Sequence, residues 1–211
     1  MYLPAHFEET RNEVLHALMR EHPLATLVVN GAAGPTANHL PLHFAADASP
    51  HGTLQGHLAR ANALWREAAD AEVLAIFHGP QAYVTPSWYP TKREHGKAVP
   101  TWNYVVVHAR GRLRVIDDAA WLRRQLETLV TQHEAGFAAP WQIADAPADY
   151  IDGMLAAIVG IEITLTALTG KWKISQNQPA ANRAGVVAGL RQIGSADALA
   201  MADLVAATLA S

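Results

Sequence analysis

From Leu24 to Thr85 the chain is a succession of short apolar runs, each closed by a turn signal, and that rhythm restricts it to a fold built largely from short strands. Leu24 to Val29 is rich in β-branched residues and leads into Asn30-Gly31, a hairpin-turn dipeptide. Pro35 to Phe44 alternates, with Asn38, Leu40, Leu42 and Phe44 on one face and His39, Pro41 and His43 on the other. A proline inside such a run implies a sheet edge or a bulge. Thr53 to His57 and Glu72 to His78 read as further strands, separated from what precedes them by a turn over Asp47 to Gly52. Gly79-Pro80 closes the second, and Gln81 to Thr85 resumes as a strand until Pro86.

Helical periodicity is confined to fewer places. Phe7, Val14, Leu15 and Leu18 predict a helix over Phe7 to Glu21, ended by Pro23. Ala59 to Glu67 reads as a short helix. Asp117 or Asp118 caps another that runs to about His133, with Trp121, Leu122, Leu126 and Leu129 on one face. Pro147 to Ala157 is a further helix. Thr101 to Arg110 and Leu113 to Ile116 are expected to form a hairpin around Gly111, and Val159 to Leu168 a last strand. The alanine-rich tail from Asn182 to Ser211 is helical, with a break at Gly194-Ser195. Strands do not alternate regularly with long helices, which argues against a doubly wound sheet and for a mainly β, α+β barrel with helical additions. Residues 1–178 are expected to form the main domain and 179–211 a helical C-terminal extension.

Composition narrows the chemistry. Apolar residues make up 50% of the 211, enough for a core. The formal net charge of -3 provides no general attraction for nucleic acid or an anionic membrane. There is no cysteine, so thiolate nucleophiles, disulfides and Cys-ligated metal centres are excluded. The N-terminus has neither the basic start nor the apolar core of a signal peptide. The apolar stretch Met154 to Leu168 is too short, and is broken by Glu162, to span a membrane. A cytoplasmic protein is the expectation. Phosphate-binding glycine loops, GxSxG and HExxH are all missing.

Four runs carry candidate chemistry. Gln55 to Asn62 passes from a strand towards a helix start, where free amides and the Arg60 fork can grip a phosphate. A tight turn with a surface arginine is the plain alternative. His39-Leu40-Pro41-Leu42-His43 sets two histidines on one strand face without a carboxylate in register, which favours a polar groove lining over a metal site. Ser87 to Pro90 and Thr101 to Tyr104 place large aromatics at either end of a long loop, as interface packing or as a stacking surface for a planar ring. Gly170 to Asn177 sets two lysines around Trp172, followed by Ser175, Gln176 and Asn177. This suits either a solvated basic turn or an anionic planar ligand.

Taken in order, seven blocks resemble one known family: Met1 to Phe7, His39 to Pro41, Gly56 to Asn62, Gly79 to Tyr83, Pro86 to Tyr89, Val99 to Tyr104 and Lys171 to Asn177. Together they are similar to the PaiB family, described as FMN-binding negative transcriptional regulators, and extend from residue 1 to about 190. The resemblance implies an FMN-binding split β-barrel related to pyridoxamine-phosphate oxidases, which dimerises with FMN at the subunit interface. By the same analogy Asn38, His39, Leu40, His57, Leu58, Arg60 and Asn62 flank the phosphate and ribityl chain. Trp102, Asn103, Lys171, Trp172, Gln176 and Asn177 complete the cofactor site, and no metal is implied. Three functions are compatible with it: an indirect regulator or flavin-linked sensor, an FMN-dependent oxidoreductase acting on a small molecule at the flavin site, or a haem-handling protein. Direct DNA binding is not expected. The tail's second helix, Ala196 to Ala210, carries Asp197 and Asp203 and no Lys or Arg.

Overall fold

The computed structural model describes residues 1–32, 34–47 and 49–209. After a 3-10 turn at Ala5–Phe7 the order is β1 (Glu8–Glu9), α1 (Asn12–Glu21), β2 (Leu24–Gly31), β3 (Gly34–Pro41), β4 (His43–Ala45), β5 (Thr53–Ala59) and α2 (Leu64–Glu67). Then come β6 (Glu72–Val84), a 3-10 turn at Pro86–Trp88, α3 (Lys92–His95), β7 (Thr101–Ile116), α4 (Ala119–Glu134), α5 (Ala148–Ala156), β8 (Ile158–Lys173), α6 (Ala180–Ile193) and α7 (Ala196–Ala207). The last residues of the expected tail helix, 210 and 211, lie outside the described residues, as does residue 48 of the expected turn at 47–52.

The eight strands form one sheet in the order β3-β2-β6-β7-β8-β5-β4, and β1 adds to β8 off this path. The path ends at β3 and β4, which do not pair with each other, so the sheet is open. This corrects the expected split β-barrel. Helix and strand also occupy comparable shares of the described chain, so the fold is mixed α/β rather than mainly β. Closure depends on which strand ends meet across the sheet. Local alternation fixes only which face each residue takes.

Several element boundaries differ for physical reasons. Gly79-Pro80 does not interrupt β6, and Gly111 does not turn the chain. β7 runs straight through Gly111, where a Cβ would collide with the Thr164 carbonyl oxygen and the Ile163 side chain on β8. The glycine answers to close strand approach rather than to a hairpin. The β2–β3 reversal falls one step beyond Asn30-Gly31, because Gly31 still pairs with Gly34. The predicted first helix is a 3-10 turn, then β1, then α1. β8 continues five residues past the expected Leu168 and so takes in Lys171 and Lys173. The helix after Asp118 appears as expected, with the Asp118 carboxylate accepting from the Trp121 amide at 2.6 Å.

The described chain divides into two compact units. One comprises residues 19–77 and 108–168. Its core includes Leu27, Leu42, Leu54, Phe77, Leu113, Ile161 and Ile163, all essentially fully buried. In the same unit α4 and α5 bury Leu122, Ile151 and Leu155 together, with Trp121 and Ile158 against them. The other comprises residues 1–18, 78–107 and 169–211. There α7 buries Ala198, Met201, Ala202 and Val205, and packs on α6. Gly194, in the left-handed conformation at φ 72°, ends α6, and Ser195 caps α7.

Candidate functional site

In the unit of residues 19–77 and 108–168, the expected phosphate-side residues are partly brought together. The Asn62 side-chain amide donates to Asn38 Oδ1 at 2.8 Å, and Asn62 Oδ1 accepts from the Leu64 amide at 3.0 Å. One asparagine thus ties strand β3 to the start of α2. His39 lies across from Thr26 in the β2–β3 register, its Nδ1 3.1 Å from Thr26 Oγ1. Leu40 and Leu58 are buried core residues. His57 Nδ1 lies 3.1 Å from Gln125 Oε1 on α4, and one turn-pair further along that helix Gln132 Oε1 meets His43 Nδ1 at 3.0 Å. The spacing of Gln125 and Gln132, seven residues on one helix face, was the available signal for these partners.

Arg60 behaves differently from its expected role. Its fork is bidentate to Asp117, at 2.6 and 2.9 Å. Its Nε donates to the Ala156 carbonyl at 2.9 Å and Nη2 to that of Ile158 at 3.0 Å. A guanidinium has five N–H donors, so four of them are committed and the fork is not presented to a phosphate. Asp117 holds the arginine's pKa above its usual value, and Arg60 holds the Asp117 carboxyl below its own.

The unit of residues 1–18, 78–107 and 169–211 contains the more open chemistry. On β7, period-2 alternation turns Trp102 outward, 52% exposed, and Asn103 inward, 1% exposed. Trp102 stands edge-on to exposed Tyr83, with ring centroids 6.1 Å apart. Two hollows flank it, of about 470 and 310 Å3, and both are lined by Gln81 and Trp102. Tyr83, Trp88 and Ile193 add to the larger, and His78 and Tyr104 to the smaller.

Behind this face, Asn103 Nδ2 donates to Ser175 Oγ at 2.9 Å, and Ser175 Oγ lies 3.2 Å from Asn103 Oδ1. Ser175 has φ 67°, a left-handed backbone that costs a non-glycine residue energy and recurs at functional sites. Lys171 and Lys173 share one face of β8. The buried Lys171 ammonium donates to the Tyr2 carbonyl at 3.0 Å and stands 5.8 and 5.3 Å from the ring centres of Tyr2 and Tyr104. The Lys173 ammonium donates to Thr101 Oγ1 and, at 2.7 Å, to the Trp102 carbonyl. None of the ion pairs among the described residues engages either lysine. Glu8, opposite Lys171 in the β1–β8 register, is in none of them. Burial first, and then the charge of Lys171, pushes the Lys173 pKa down.

The remaining expected site residues are occupied locally. Trp172 is 8% exposed and offers no open ring face. The Gln176 amide accepts from the Ile174 amide at 2.8 Å and donates to the Trp172 carbonyl. Asn177 stays exposed at the rim. Gln81 lines both hollows and His78 the smaller, and neither is among the expected site residues, although Gln81 lies in the Gly79 to Tyr83 block. No group of three or more His, Asp or Glu residues among the described residues is arranged to hold a metal. No helix among them is long and apolar enough to cross a membrane.

A family model described as "Putative FMN-binding domain" matches residues 1–167. The chain is 33% identical over 241 residues to an uncharacterized protein of Emericella nidulans, covering 97% of this chain and 96% of that one. It is 31% identical over 207 residues to the "Protease synthase and sporulation protein PAI 2" of Bacillus subtilis, with the same coverage. In fold it resembles an FAD and heme binding protein from Mycobacterium smegmatis, with a TM-score of 0.58 at 17% identity over 79% of this chain and 73% of that one. It also resembles a flavocytochrome from Azotobacter vinelandii, with a TM-score of 0.57 at 13% identity over 79% and 69% of the two chains.

Proposed function

This chain belongs to the putative FMN-binding domain family, with FMN as its cofactor, and from that premise we propose that it is a flavin-dependent oxidoreductase acting on a small molecule. The observation that carries the reading is the exposed face of Trp102 between two hollows of mononucleotide size. A planar, phosphorylated ring system suits these residues. Trp102 and Tyr83 offer aromatic surface, Gln81 and His78 offer polar groups, Asp197 adds a carboxylate to the larger hollow, and Lys171 and Lys173, outside the lining of both, carry charge that enters none of the ion pairs among the described residues. When bound, FMN supplies the electron-transfer chemistry.

The protein's own groups have narrower tasks. Trp102 provides a stacking face, and Gln81 can hydrogen-bond polar edges beside it. The Asn103–Ser175 pair fixes the floor behind Trp102 from the buried side. Lys171 is held by the Tyr2 carbonyl and two rings, so it contributes field rather than a free donor. Asn38, His57 and Asn62 shape the β3–β5 region of the other unit, and Arg60 secures the turn after β5.

An indirect regulatory role is supported only by the name of the Bacillus subtilis relative. The acidic, packed α7 supports no direct DNA contact. The test of the redox reading is turnover. The purified protein is loaded with FMN, reduced anaerobically with a reduced nicotinamide, and offered small electron acceptors such as quinones and nitroaromatics. Acceptor-dependent nicotinamide oxidation that requires bound FMN is the expected result. Bound FMN that no reductant or acceptor cycles would defeat the enzyme reading while leaving the flavin assignment standing.

A further inference from the structure

A third hollow, of about 170 Å3, lies apart from the Trp102 face. It is lined by polar groups from three places in the chain: Thr101 and Asn103 at the start of β7, Lys173 at the end of β8, and Ser175, Asn177 and Gln178 in the turn that follows. Tyr89, Val99 and Pro100 supply the apolar part of its wall. No carboxylate lines it. It is too small for a flavin ring system and suits a group of a few heavy atoms.

The donor set has one sign. Lys173 has three N–H bonds and spends two, on Thr101 Oγ1 and the Trp102 carbonyl. The third remains for a ligand. Asn103, buried to 1%, and Ser175 satisfy one another and form a fixed polar floor. Asn177 is exposed at the rim. Two residues beyond Gln178, helix α6 begins behind Pro179, which provides no side-chain cap. The positive end of a fourteen-residue helix therefore lies close in sequence to the pocket wall. Lys173 sits in this setting with Lys171 two residues away on the same strand face, and neither enters an ion pair among the described residues. A half-buried cation without a counter-charge is costly to hold, and an oxyanion in the pocket relieves that cost.

We infer that the Lys173 pocket is an oxyanion subsite, taking a carboxylate- or phosphate-sized group at the end of a small molecule. The chemistry is common to two sources, the acid group of a substrate and the phosphate of the flavin itself. The inference adds to the flavoprotein reading and stands without it, because an anion can be titrated whether or not flavin is bound. The lowered Lys173 pKa agrees with an unfilled counter-charge, and a bound anion is expected to raise it.

The experiment titrates inorganic phosphate and acetate into the flavin-free and FMN-loaded protein, followed by tryptophan fluorescence. Flavin content is read separately from flavin absorbance. Saturable anion binding is expected in the flavin-free form, weakened about tenfold or more in Lys173→Met, as for loss of a charge-assisted hydrogen bond. Asn177→Asp is the second variant. It leaves the core untouched, since Asn177 is exposed, and brings a carboxylate to the rim that should also weaken the anion. Binding that persists in the FMN-loaded protein assigns the subsite to a substrate's acid group. Binding abolished by FMN but not by riboflavin, with the preference for FMN lost in Lys173→Met, assigns it to the flavin phosphate. Absence of saturable binding in both forms, or unchanged binding in a well-folded Lys173→Met and in Asn177→Asp, would overturn the inference.

Discussion

The indole of Trp88 lies against the backbone of Gly189 so closely that a Cβ at Gly189 would overlap the ring. One turn earlier on α6, a Cβ at Gly185 would overlap the Trp88 carbonyl oxygen. In an isolated helix Gly→Ala stabilises by about 1 kcal/mol. Here the sign should reverse. Overpacking of this kind costs about 1–3 kcal/mol, and Gly185→Ala should be the worse of the two because its obstacle is backbone rather than a movable ring. Urea unfolding of both variants checks this. A more stable Gly185→Ala would show that the helix and the Trp88 turn are not in fixed contact.

Trp102 is half exposed and stands edge-on to Tyr83, so Trp102→Ala should leave the melting temperature nearly unchanged. Its effect should fall on the flavin. Losing an aromatic contact worth roughly 0.5–1.5 kcal/mol corresponds to about a twofold to tenfold weaker FMN affinity. Quenching of flavin fluorescence measures it, and Trp102→Phe should recover most of the loss.

Arg60 and Asp117 should act as one unit. Because Arg60 lowers the Asp117 pKa, the pair's contribution is present in full above the ordinary carboxylate range. It is lost as pH falls through that lowered value. Both side chains are well exposed, so the effect is small. Thermal melts stepped downward from about pH 7 should show Asp117→Asn less stable than the parent at neutrality, with the gap closing only as pH falls below the ordinary carboxylate range. The double variant Arg60→Ala, Asp117→Ala should be no worse than the poorer single one.

Lys173 gives the opposite limb. Its folded pKa lies below the ordinary 10.5, so between those two values the unfolded chain holds a proton that the folded protein has released. Stability from this group therefore rises as pH climbs through the lowered value towards 10.5. Lys173→Met should remove that alkaline rise. Urea titrations of the parent and the variant at stepped alkaline pH measure the difference.

The elements legible in the sequence were those whose signals are local. Asp118 followed by apolar residues at helical spacing identified α4, and the alternation through Leu40, Leu42 and Phe44 identified which side chains turn inward. Gly111 and Gly79-Pro80 misled because a glycine serving close strand approach looks in sequence like one serving a turn. Sheet closure was out of reach, since the strand order is set by contacts between residues far apart in the chain. Within the candidate site, residue types mark segments but not which partners hold their side chains. Arg60 has the residue type of a phosphate ligand, but Asp117, distant in sequence, holds its fork, and Trp172, in the Lys171 to Asn177 block, is buried. Lys173 became informative only once β8 extended far enough to set it on the same face as Lys171.

An open sheet leaves a strand at each end with no neighbour on one side, and such a border invites other chains to join it. In β3 that border is defended by its own sequence. Pro35 and Pro41 stand near its two ends and can give no N–H to an incoming strand. His39 lies between them, exposed. The proline inside this run, which implies a sheet edge or a bulge, does stand on an edge strand, where two missing N–H donors leave an incoming strand fewer partners.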